Sequence, residues 1–95
     1  MNLTELHPHD KSVSALSLFK GEQGSATTLQ ILKDQQLKEH MSKTPALLVC
    51  VTGEVEFENE KGMKETLFSG DYVNIESLVK HWVTAQVDSQ LILLK

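Results

Sequence analysis

The sequence predicts an all-β domain of antiparallel strands, and two observations lead there. Short segments are separated at close spacing by turn residues: Gly21 to Gly24, Asp34-Gln35-Gln36, Gly53, Asn59 to Gly62, Gly70-Asp71 and Asp88-Ser89. That spacing is the pattern of a sandwich or barrel. Several segments also alternate polar and apolar residues, as Glu54-Val55-Glu56-Phe57-Glu58 does. This is the two-residue period of a strand with one wet face.

Taken in order, residues 1–12 are polar and carry Pro8 between His7 and His9, so they read as an N-terminal arm, with His7 and His9 in a solvated tail. Residues 13–95 form one domain, without repeat, linker or low-complexity tract. Val13 to Lys20 is a strand. Ala26 to Lys33 and Leu37 to Ser42 flank the Asp34 turn, as the two arms of a hairpin or as one amphipathic helix. Leu29, Leu32, Leu37 and His40 also fall near helical spacing after a capping serine. Ala46 to Thr52 (ALLVCVT) is apolar enough for a central strand. Glu54 to Glu58, Lys64 to Phe68, Tyr72 to Ile75, His81 to Gln86 and Gln90 to Leu94 complete the set.

Composition narrows the function. The chain has 95 residues and a net charge of −4, and its nine basic residues are all lysine. Arginine is the usual residue for bidentate phosphate grip and for reading guanine edges, so a nucleic-acid partner is not expected. No apolar run is long enough to span a membrane, so no membrane partner is expected either. Cys50 is the single cysteine, which fits a reducing cytoplasm and a core thiol without an activating neighbour. The start of the sequence lacks the apolar core of a secretory signal, which also points to the cytoplasm.

Two blocks resemble the cupin superfamily, specifically its small single-domain members: HMSKTPALLVCVTG from His40 to Gly53, followed by EVEFENEKG, and GDYVNIESLVKHWVTA from Gly70 to Ala85. Gly70, Asp71, Ile75 and His81 match the second cupin motif in spacing, with Glu76 where proline is usual. His40 and Gly53 match the first motif with its shorter spacer. Ser42 stands where that motif has its second histidine, and Ala46 where it has its glutamate. The resemblance implies an antiparallel cupin-type jelly-roll β-barrel with its binding cavity inside, and it favours the hairpin over the helix. It also implies a homodimer, formed by pairing edge strands.

The resemblance points His40 and His81 inward, and three readings follow. The leading one is a binding module in which His40, His81, Ser42 and Gln30 line a pocket for a small polar ligand, with Trp82 and Tyr72 available for stacking. Alternation places Trp82 on the face opposite His81, where it more simply anchors a core or an interface. The alternative is a metal-dependent cupin enzyme of isomerase or dioxygenase type. It would use His40 and His81 as ligands of a divalent transition metal such as zinc, iron, nickel or manganese. That set lacks a third ligand, so no cofactor is the preferred expectation. A metal-free histidine base, as in the sugar-nucleotide epimerases of similar architecture, requires a diphosphate grip that a chain without arginine supplies poorly.

Overall fold

Alternation in ALLVCVT sends Ala46, Leu48 and Cys50 to one face and Leu47, Val49 and Val51 to the other, and only the first set is fully buried. The same two-residue rule sorts Glu54–Asn59, Tyr72–Ile75 and His81–Ala85 in a computed structural model that describes residues 1–95. Nine strands form: β1 Val13–Lys20, β2 Ser25–Ile31, β3 Gln36–His40, β4 Ala46–Thr52, β5 Glu54–Asn59, β6 Lys64–Phe68, β7 Tyr72–Ile75, β8 His81–Ala85 and β9 Ser89–Leu94. They make two antiparallel sheets, ordered β1-β2-β9-β4-β7 and β3-β8-β5-β6. Between the sheets, Leu29, Ile31, Leu48, Cys50, Val55, Phe57, Leu67, Val83 and Leu91 build the core. No helix is long and apolar enough to cross a membrane.

The segments on either side of Asp34 are strands, but they do not pair with each other as a hairpin. β2 lies in the five-stranded sheet and β3 in the four-stranded one. The reason is the backbone at Asp34, whose φ of 65° lies in the left-handed region that aspartate tolerates better than most residues. That turn carries the chain across the barrel wall, where Asp34 N–H donates to the Ala85 carbonyl (2.8 Å) and Ala85 N–H donates to that of Gln35 (3.0 Å). β3 therefore docks on β8, with Leu37 opposite Val83 and His40 opposite His81.

The N-terminal segment is not a solvated tail throughout. Asn2 caps a 3-10 turn at Leu3–Leu6, its side-chain oxygen accepting from Thr4 N–H at 3.0 Å. His7 is then buried on the outer face of the five-stranded sheet, 4% exposed. Its Nδ1 lies 2.7 Å from Ser14 Oγ and its Nε2 3.0 Å from Thr28 Oγ1. Beside it Gln30 Nε2 donates to the Pro8 carbonyl (2.9 Å) and Gln90 Nε2 donates to Gln30 Oε1 (2.7 Å). The row Ser14, Thr28 and Gln30 explains why the arm binds here: buried polar groups need partners, and the arm supplies them, while Gln90 Oε1 stays buried without one. His9 stays exposed.

Burial holds the His7 pKa below its ordinary value, since a charged imidazole there loses its hydration. Between its folded and unfolded pKa values the unfolded chain binds the extra proton, so stability rises with pH in that window. The contribution is complete above the unfolded value near ~6.5 and is lost as pH falls below it toward the folded value. His81 is shifted in the same direction. Urea midpoints taken between pH 5 and pH 7.5 should therefore increase with pH, and the increase should shrink in a His7→Gln variant, which keeps the contribution of His81. An unchanged slope would show that His7 does not titrate on folding.

Candidate functional site

His40 and His81 meet where β3 pairs with β8. Their ring centroids are 4.4 Å apart, edge to face at 61°. A bulge between Leu37 and His40 shifts the strand's alternation, so that Leu37 packs on the core while His40 still falls opposite His81. His81 continues the inward set Val83 and Ala85 along β8 and is buried, 3% exposed, whereas the His40 ring is open to solvent. Phe57 stacks on His81 from β5, with centroids 5.7 Å apart and planes 23° from parallel. One imidazole is thus fixed in the wall of the barrel and the other leans over it from the edge strand.

Local backbone orients both rings. His40 Nδ1 faces the Lys38 carbonyl at 3.3 Å and His81 Nδ1 faces that of Val79 at 3.4 Å. A carbonyl can only accept, so both contacts favour the proton on Nδ1 and leave the Nε2 lone pair free. Neither Nε2 has a hydrogen-bond partner within the protein. Burial pushes the His81 pKa down, and the neighbouring charge of a protonated His40 and that of Lys95 push the same way, against a smaller opposing pull from the Val79 carbonyl. His81 is therefore a neutral imidazole at neutral pH.

Gln30 and Trp82, expected near the pocket, face away from this pair. Ser42 is buried just after β3 but is engaged locally: its Oγ accepts from Thr44 N–H at 3.4 Å, and its carbonyl accepts from Leu78 N–H at 2.8 Å. Gln30 is not beside the histidines. Its neighbours Leu29 and Ile31 take the inward positions of β2, so Gln30 points outward to the arm. Trp82 occupies the face opposite His81, its indole N–H donating to Glu58 Oε2 at 3.0 Å. Tyr72 is exposed on β7. None of the five surface pockets is lined by His40 or His81.

The metal set does not assemble. No three His, Cys, Asp or Glu side chains come close enough to hold an ion, and no carboxylate is among the groups that act on His81. His40 and His81 supply two donors, where a transition-metal site takes at least three from the protein. Cys50 does not help, being buried in the core with its thiol pKa raised by burial and by the Asp71 charge.

Comparison of the whole fold places these features. The structure superposes on a cupin superfamily protein from Desulfitobacterium hafniense with a TM-score of 0.85 at 11% identity, covering 98% of this chain and 84% of that one. An RmlC-like cupin from Shewanella frigidimarina gives a TM-score of 0.80 at 17% identity, covering 92% of this chain and 78% of the other. This chain has the cupin fold. A conserved protein of unknown function from Streptococcus pyogenes shares the architecture too, at a TM-score of 0.83 and 17% identity over 99% of this chain and 82% of that one. No family model matches the sequence, and no curated protein matches it. Gly53 follows β4 at the crossing into β5.

Proposed function

We propose that this small cupin-fold protein binds a small polar ligand at the mouth of the barrel, between His40 and His81. The observation that carries the reading is the imidazole pair itself, in contact at 4.4 Å with both Nε2 lone pairs unused. Two fixed acceptors on a partly apolar wall suit hydroxyl or amine hydrogens of a ligand. The ligand would lie against the open face of His40 rather than in a deep cavity. The reading assigns no reaction.

A melting screen against sugars, polyols, amines and small acids tests it. A ligand at about 100 times its Kd stabilises the folded state by about 2.7 kcal/mol, a rise on the order of 10 °C or more for a domain this small. At least one class should produce such a shift, and His40→Ala, which alters an exposed ring, should abolish it without lowering the unliganded melting point much. If no class shifts the midpoint, or if His40→Ala leaves the shift intact, the reading fails.

A further inference from the structure

The five-stranded sheet contributes charge to the same mouth. Leu91 and Leu93 face the core along β9, so Lys95, two residues on, continues that face. There its backbone pairs with Ser25, Ser25 N–H donating to the Lys95 carbonyl at 2.6 Å and Lys95 N–H to that of Ser25 at 3.1 Å. On the other side of Ser25 the register sets Lys20 of β1. Lys20, Ser25 and Lys95 thus form one row on the inward face at the end of the sheet. Across the barrel His81 senses the Lys95 charge.

Nothing neutralises these two lysines. The ion pairs of the protein are Met1 with Glu5, Lys61 with Glu76 and Lys64 with Glu56, and neither Lys20 nor Lys95 takes part in any of them. Other acidic groups around β8 are also engaged, Glu60 Oε2 accepting from Lys80 N–H at 2.7 Å and Glu58 from the Trp82 indole. Glu39 is exposed and makes no hydrogen bond to either histidine. In a chain of net charge −4 this end of the barrel therefore sets two free lysines beside the neutral His81 imidazole. That local field repels a divalent cation and attracts an anion.

We propose that the ligand is a small hydroxy acid, its carboxylate held by Lys95 and Lys20 and its hydroxyl hydrogens donated to the free Nε2 atoms of His40 and His81. This deepens the reading of the same site and rests on it. Each half of the molecule has its own recognition element: the ammonium groups take the charge, and the imidazole acceptors take the hydroxyls. Acetate supplies only the first contact and glycerol only the second.

The test uses glycerate, acetate and glycerol as matched probes, titrated at low ionic strength while the histidine ring resonances are followed by NMR. Glycerate should shift the His40 and His81 signals saturably and more tightly than either of the others. Lys95→Met should weaken glycerate about three- to tenfold, as expected for loss of one partly exposed charge-assisted contact. Lys95→Arg should stay within about twofold, because the charge remains. Lys20→Met gives a second variant, remote from the β9 ladder, with a smaller loss in the same direction. If glycerol perturbs the rings as well as glycerate and Lys95→Met changes nothing, the hydroxy-acid inference is overturned while a polar-ligand site survives. If glycerate leaves the rings unmoved but another class raises the melting point through His40, the inference again falls and the site survives. Failure of every probe in both experiments overturns both.

Discussion

A Gly53→Ala variant should lose about 3–5 kcal/mol of folding stability, a large fraction of what a domain of this size commonly has. Gly53 has a φ of 104°, a conformation open to glycine and strained for any residue with a side chain. A methyl group there would also collide with Ser89, lying 2.7 Å from its Cβ and 2.8 Å from its Cα. Neither side can yield easily. Ser89 Oγ accepts from Glu54 N–H at 3.1 Å and donates to the Val87 carbonyl at 2.8 Å, while Gln86 N–H donates to that of Glu54 at 2.9 Å. Backbone strain contributes roughly 1–3 kcal/mol and the overpacking a similar amount. Urea midpoints measure the sum, and a second change, Ser89→Gly, should recover part of it by removing the struck side chain. A loss below about 1 kcal/mol would show that the β4–β5 crossing is free to move, contrary to its hydrogen bonding.

Phe57→Ala should be comparably severe, at about 3–5 kcal/mol, because truncating a buried aromatic leaves a cavity that its neighbours only partly fill. Phe57 is 1% exposed, belongs to the main core and stacks on His81. The variant therefore links core to site. Where Phe57→Ala leaves too little folded protein to assay, Phe57→Leu should keep the fold at a cost of about 1.5 kcal/mol or less. Its informative readout is the His81 ring signal, which should broaden or split as the imidazole loses the surface that fixes its plane. A sharp, unshifted His81 signal in Phe57→Leu would mean that Val79 and His40 suffice to hold the ring. Denaturant midpoints for the alanine variant and NMR for the leucine variant separate the two effects.

Much of the architecture was legible in the residues. The bounds of β1, β4, β6 and β7 follow from apolar runs and alternation closed by glycine, asparagine or aspartate. Glu54, Glu56 and Glu58 fall on the wet face because Val55 and Phe57 claim the dry one. Pairing was harder to read, because nothing local states that the turn at Asp34 passes between sheets; its left-handed backbone and its bonds to Ala85 depend on β8, far along the chain. Of the expected pocket residues, His40 and His81 are brought together. Gln30 is not, because a buried glutamine reads alike in a pocket and under an arm. The His7 anchorage left one usable signal, a set of Ser, Thr and Gln residues at outward positions of β1, β2 and β9, which gains meaning only when those strands are adjacent. Lys20 and Lys95 escaped notice for a similar reason: each is an ordinary strand-end lysine until the register sets both beside Ser25.

The strand order has a consequence for how the chain is made. β9 lies between β2 and β4 at the centre of the larger sheet, although the ribosome delivers it after the other eight. Until it emerges, β2 and β4 each lack the neighbour that satisfies one whole edge, and Leu91 is missing from the core. The nascent chain must therefore wait with two strand edges open, which makes folding slow for the chain's length. The smaller sheet, built from β3, β5, β6 and β8, has all its strands in hand before β9 appears. It is the natural template on which the rest closes.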